Sequence, residues 1–222
     1  MNNQFYFSIQ VQKEQLQYAK ELVEYSLKHH PVSNIWDKKK SKNPSDSLIK
    51  DKKTKELRLT GTIGEIVFAD TYILKRPTKS FGAVDGQDFG KDFELILKEN
   101  SFNFDVKTMH RKSNIFYKDY VLNIPARNIH RKESITDFYY CISLHEKSNN
   151  MIASFLGYIS KKDIVDRKIG ILYKEGTKRI RADKTSFSFY EDTYEVFFKD
   201  IITPFISPRI SGFDGFEKKI LR

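Results

Sequence analysis

Apolar and polar positions alternate at the start of the chain, with Phe5, Phe7, Ile9 and Val11 set against Tyr6, Ser8 and Gln10. That period of two predicts a short, half-buried strand. From Lys13 to Leu27 the spacing changes, and Leu16, Ala19, Val23 and Leu27 mark the buried stripe of a helix. The stretch Asp37 to Lys55, rich in Lys, Ser, Asn and Asp and containing Pro44, has no such period and reads as a loop or arm. A second helix is expected from near Gly61 to about Leu74, burying Ile63, Ile66, Val67 and Ile73. After a glycine- and aspartate-rich segment, Phe81 to Asp92, two strands are expected at Phe93–Lys98 and Phe102–Lys107, joined around Asn100-Ser101. Further strands are expected at Tyr120–Ile124, Phe138–Leu144, Met151–Ile159 and Tyr194–Phe198. Ser160, with Asp163 three residues on, has the form of a capped helix start. Lys174 to Lys184 reads as an exposed basic loop.

This order of helix, hairpin, then mixed strands and helices predicts an α/β or α+β fold with a central mixed β-sheet flanked by helices. A natural division is an N-terminal strand and helix extension with a basic loop over 1–60, followed by a core with C-terminal elaborations over 61–222, the whole forming one compact domain. With 222 residues and 39% hydrophobic content, the chain can bury a sizeable core. No run approaches the roughly 18 apolar residues a membrane span needs. The N-terminus lacks a basic segment followed by an apolar run, so no secretory signal is expected and the expected compartment is the cytoplasm. The single cysteine, Cys141, excludes a disulfide within the chain and any zinc site built on cysteines. Its apolar neighbours suit a buried thiol.

Charge changes the picture further. Lys and Arg number 39 against 29 acidic residues, a formal excess of +10. Such an excess favours polyanionic partners, because each phosphate contact releases a counterion. It equally fits a lysine-rich solvated surface.

The chemistry concentrates between Phe81 and Lys112. On the second hairpin strand Phe102, Phe104 and Val106 share one face, and Asn103, Asp105 and Lys107 share the other. A turn at Asn100-Ser101 pairs Leu97 with Phe104 and Leu95 with Val106, apolar against apolar. Carried outward, that register puts Asp92 on the polar face, diagonally beside Lys107, with Asp88 in reserve as the second carboxylate. Two carboxylates and an ammonium then meet at the mouth of a hairpin. That set suits phosphodiester hydrolysis, since Mg²⁺ is held through one or two carboxylates and keeps waters and phosphate oxygens as its other ligands. It lowers the pKa of a bound water and offsets charge in the transition state.

Asp92, followed after thirteen residues by Asp105-Val106-Lys107, resembles the bipartite signature of the PD-(D/E)XK, or restriction-endonuclease-like, nucleases. The run Gly64-Glu65-Ile66-Val67-Phe68-Ala69 resembles the core helix whose glutamate often completes the metal site in that superfamily. Phe155-Leu156-Gly157-Tyr158-Ile159-Ser160-Lys161-Lys162-Asp163 resembles a strand-to-helix step in several phage and restriction-type members. The resemblance covers Gly61 to Lys107 well and the rest loosely. It departs from the signature in having no proline before any candidate aspartate, and in carrying Asp105 where Glu is commoner.

What the resemblance implies is a restriction-endonuclease-like core and a Mg²⁺-dependent DNA endonuclease, with Mn²⁺ able to substitute. Glu65, Asp92 and Asp105 would be its metal ligands, and Lys107 would act at the attacking water. Nothing in the composition separates DNA from RNA. A restriction enzyme of this kind would act as a homodimer. Candidate nucleic-acid contacts are His110, Arg111, Lys112, Lys178, Arg179 and Arg181. The basic stretches Lys38–Lys42, Lys107–Lys112, Arg127–Lys132 and Lys174–Lys184 all also fit solvated faces, and at least one would then be a backbone-contacting surface.

Each residue has a plainer reading beside this one. Thr62-Ile63-Gly64-Glu65 fits a capping box, in which Glu65 closes onto the Thr62 backbone. Asp105 and Lys107 also fit a solvated strand face, although strands disfavour Asp. Asp92 after Gly90-Lys91 fits ordinary turn chemistry. A nucleic-acid-binding protein that keeps the fold without cutting, and an interaction protein that meets an acidic partner, are the alternatives at the level of function.

Overall fold

The structure is a computed structural model that describes residues 4–29, 44–78, 91–97, 99–111, 121–180 and 186–220. In chain order its strands are β1 (Phe5–Gln10), β2 (Phe93–Leu97), β3 (Asn100–His110), β4 (Val121–Pro125), β5 (Phe138–Lys147) and β6 (Asn150–Ser160). They continue with β7 (Ile171–Tyr173), β8 (Lys178–Ile180), β9 (Ser186–Ser188), β10 (Thr193–Phe197) and β11 (Glu217–Ile220). The helices are α1 (Lys13–His29), α2 (Pro44–Tyr72), α3 (Ala126–His130) and α4 (Lys161–Val165).

A six-stranded sheet in the order β11-β1-β6-β5-β3-β2 forms the centre. It is mixed: β3 runs parallel to β5, and the other neighbours are antiparallel. The period-two patterning explains its two apolar faces. On one side Phe7, Ile9, Phe104, Val106, Tyr140, Ile142, Leu144 and Phe155 pack against Ala19 and Leu22 of α1 and Ile63, Ile66, Val67 and Phe68 of α2. On the other, Tyr6, Tyr139, Cys141, Leu156 and Ile159 pack against α3, α4 and the small sheet β4-β10-β7 through Ile124, Ile129, Ile164, Tyr194 and Val196. The protein is thus a mixed α+β fold with helices on one face of the sheet, and a second, smaller sheet with two short helices on the other. No helix among the described residues is long and apolar enough to cross a membrane.

Four expectations change. First, α2 begins at Pro44, not near Gly61, so a segment expected to be irregular is helical from residue 44. Proline suits the first helical turn, where its missing N–H costs nothing, and lysine, leucine and glutamate are good helix formers. Docking on α1 carries the helix onward, with Arg58 Nη1 donating to Ser26 Oγ at 2.9 Å. Residues 37–43 lie outside the described residues.

Second, the expected boundary at residue 60 falls inside this helix, and β1 sits between β6 and β11 in the main sheet. The N-terminal segment is part of the core and not an extension. Third, Ile73 is 74% exposed instead of buried. It follows the helix end with φ 59°, and Leu74 N donates to Ala69 O at 2.7 Å, the closing bond of a Schellman turn.

The basic stretch after Lys174 also differs, because Lys178–Ile180 forms β8 and pairs with β9. Ser160 caps α4 as expected, its Oγ accepting from Asp163 N at 3.3 Å.

Candidate functional site

The hairpin β2–β3 carries the site. Its register is Phe93↔Phe104 and Leu95↔Phe102, with Leu97↔Asn100 as the last pair before the strands join. The expected pairing of Leu97 with Phe104 is therefore four residues out. A slip by an even number leaves every side chain on its own face. Phe93, Leu95, Phe104 and Val106 are buried in the helix-side core, as the alternation requires, and Asp105 and Lys107 keep the opposite face. The correction matters for Asp92, which now lies level with Asp105, one step beyond the Phe93↔Phe104 pair.

Asp92 ends the ladder with its own side chain. Its N–H donates to Phe104 O at 2.9 Å, and its Oδ2 accepts the N–H of Val106 at 2.7 Å. Asp105 is 7% exposed, and Lys107 Nζ lies 2.6 Å from Asp105 Oδ1. Lys107 Nζ also stands 5.7 Å from the centre of the Tyr139 ring, on the next strand.

Glu65 arrives from α2. Since that helix begins at Pro44, Thr62 is a mid-helix residue and the capping-box reading of Glu65 fails. Gly64 is what brings the helix in. A Cβ on Gly64 would stand 1.8 Å from Thr108 Oγ1, so only glycine permits this approach of α2 to β3. The next residue, Glu65, then reaches the hairpin.

Glu65, Asp92, Asp105, Val106 and Lys107 line one cleft of about 290 Å³ together with Asn128, Arg131 and Ser134. Burial, then the negative charges of Glu65 and Asp105, push the Asp92 carboxyl well above the ordinary carboxylate range, with Lys107 and the Val106 N–H opposing. The negative charges of Glu65 and Asp105 at Asp92 make the position favourable to a cation. Among the described residues, no three Asp, Glu, His or Cys side chains are gathered as a ready-made cage for an ion. Mg²⁺ does not require one, because one or two carboxylates with waters and phosphate oxygens are its usual set. The hard oxygen donors present and the raised Asp92 carboxyl fit such an ion.

The remaining candidates stand elsewhere. His110 is exposed at the end of β3, and Arg111 is half-buried with Nη2 3.6 Å from Met109 Sδ. Arg179 is held by Glu195, with Nε at 3.0 Å and Nη2 at 2.8 Å from Oε2, and stacks over Tyr173. Its partner Glu195 is 1% exposed, so Arg179 serves to neutralise a buried carboxylate. Lys178 points outward from β8. Asp88, Lys112 and Arg181 lie outside the described residues. Sequence reasoning did not single out Asn128, Arg131 or Ser134. The basic stretch Arg127–Lys132 was the only signal, and nothing in its spacing tied it to a hairpin twenty residues upstream.

No protein-family profile matches the chain, and neither a curated protein nor a solved structure matches it.

Proposed function

We propose that the protein is a Mg²⁺-dependent nuclease of the PD-(D/E)XK type, hydrolysing phosphodiester bonds in DNA at the cleft between α2 and the β2–β3 hairpin. One observation carries the reading: Glu65, Asp92, Asp105 and Lys107, which the sequence signature singles out, line a single cleft although they come from three elements. A helix-flanked mixed sheet is also the architecture that a restriction-endonuclease-like core requires.

In this reading Asp92 and Asp105 hold the cation, with Glu65 binding it or its waters. When bound, the cation lowers the pKa of a coordinated water and neutralises charge on the phosphate. Asp105 also pairs with Lys107 at 2.6 Å, and in this reading the Lys107 ammonium would assist at the attacking water and offset developing negative charge. The Val106 N–H holds the Asp92 carboxylate in one orientation. Mn²⁺ would serve in the same place. The formal charge of +10 adds sequence-independent attraction for the polyanion. Concerted cutting of both strands at a palindrome would call for a homodimer, which gel filtration at micromolar concentration tests.

The deciding experiment incubates the protein with plasmid, single-stranded DNA and RNA in Mg²⁺, Mn²⁺ or EDTA. Cleavage that needs the metal supports the proposal, and the preferred substrate names the nucleic acid. Salt-sensitive binding with no cleavage of any substrate would favour a non-catalytic nucleic-acid-binding protein instead.

A further inference from the structure

The cleft has a wall that the carboxylates do not supply. Asn128, Arg131 and Ser134 line it, from α3 and the turn that follows. This wall is braced from several sides. Ala126 and Ile129 anchor α3 in the core at 8% and 2% exposure. The Tyr139 hydroxyl donates to Asn128 O at 3.1 Å, which ties the helix to the strand beside Lys107. Ser134 N donates to Arg131 O at 3.2 Å, closing the turn, and Ser134 Oγ donates to Thr136 Oγ1 at 3.0 Å. Lys161 Nζ, at the start of α4, donates to Ser134 O at 3.2 Å. Asp137 N donates to Asn103 O at 2.9 Å, so the segment ends fastened to the site hairpin itself.

Arg131 is therefore presented by a fixed backbone at the cleft that Glu65, Asp92 and Asp105 also line. Its Nε lies 3.7 Å from Glu133 Oε2, and Glu133 is largely exposed. A phosphodiester entering the cleft brings two non-bridging oxygens. When one faces the carboxylate side with its cation, the other faces the opposite wall. Three carboxylates repel an anion, and Lys107 is already committed to Asp105. The planar guanidinium fork is the side chain best matched to a phosphate, and a neighbouring amide adds a donor.

We propose that Arg131, assisted by the Asn128 amide, grips the non-bridging oxygen of the scissile phosphate that points away from the carboxylates. The inference rests on the nuclease reading above, and adds the residue that seats the substrate.

The test compares wild type with Arg131→Ala, Arg131→Gln and Arg131→Lys on a labelled DNA substrate in Mg²⁺, measuring KM, kcat, the salt dependence of KM and thermal melting. The expected result is a KM raised about ten- to a hundredfold in the Ala and Gln variants, the usual cost of losing a charged hydrogen bond. The salt slope should fall by roughly 0.9, one phosphate contact, with partial rescue by Lys and an unchanged Tm. The Gln variant keeps the packing of the stem if the Ala variant folds poorly. Wild-type KM and salt slope in Arg131→Gln would overturn the clamp while leaving the nuclease standing. Loss of activity that follows loss of Tm, without rescue by Lys, would also overturn it. A wild type that cuts no nucleic acid removes both readings together.

Discussion

The Asp92 carboxylate takes the backbone N–H of Val106 at 2.7 Å, at the point where β2 stops and β3 runs on. A strand residue would normally fill that place in the ladder. Here a side chain does so, and the residue lines the same cleft as Asp105 and Glu65. A single residue thus ends the hairpin and faces two other carboxylates.

That arrangement makes Asp92 a measurable liability in the metal-free protein. Its folded pKa lies above its unfolded value, so ionisation costs stability as pH rises above the ordinary carboxylate range toward the raised value. Asp92→Asn keeps an acceptor for Val106 and removes the charge. In EDTA the variant should gain more Tm over wild type at pH 8 than at pH 4.5, and Mg²⁺ should stabilise wild type by about 1.4 kcal/mol at ten times its Kd, but not the variant. An equal gain at both pH values would show that the Asp92 carboxyl is not raised in the folded protein.

Asp105→Asn and Lys107→Met each remove one side of a 2.6 Å pair. Each should lower kcat by about 10²–10³ with Tm changed by only a few degrees, as expected for groups that act on transition-state charge. Metal-dependent cleavage that persists at the wild-type rate in both would place the site elsewhere.

Gly64→Ala tests the approach of α2 to β3. The added Cβ would fall 1.8 Å from Thr108 Oγ1 and 2.8 Å from Thr108 Cβ. The helix must shift, at a cost of about 1–3 kcal/mol by urea denaturation. Adding Thr108→Ala removes the hydroxyl and methyl but not the Cβ, so it should restore stability only in part. Full stability in Gly64→Ala alone would contradict the packing described.

His145 is 2% exposed, and among the described residues neither ring nitrogen has a hydrogen-bond partner. Burial, then Lys219, Lys147 and His110, lower its pKa, so the folded state holds it neutral. The unfolded chain takes up a proton near pH 6.5 and the folded chain does so only lower, so stability is present above about pH 6.5 and is lost as pH falls. Denaturation curves from pH 8 to 5 should show this loss in wild type and a flatter profile in His145→Leu. Identical slopes would exclude His145 as the cause.

Arg179→Ala leaves the buried Glu195 carboxylate without its guanidinium. A loss of about 3 kcal/mol is expected. Lys178→Ala, on the outward side of the same strand, should cost less than 0.5 kcal/mol, a typical surface value. Comparable effects of the two would refute the structural role assigned to Arg179.

Much of the site was legible in the sequence because strand alternation is local. Phe104 and Val106 point inward whatever their partners are, so Asp105 and Lys107 had to share the opposite face. That parity survived a register wrong by four residues. The signature also marked Glu65, although its helical neighbours equally spelled a capping box, and only the start of α2 at Pro44 removed that alternative. Local propensity could not place that start, because polar, lysine-rich residues form a helix only where docking onto α1 repays the cost of nucleation. Nor could it show that β1 lies inside the sheet, that a missing Cβ at Gly64 brings Glu65 to the hairpin, or that Arg131 lines the same cleft as Asp105. Those are contacts between residues far apart along the chain, and they are decided by which apolar faces bury each other.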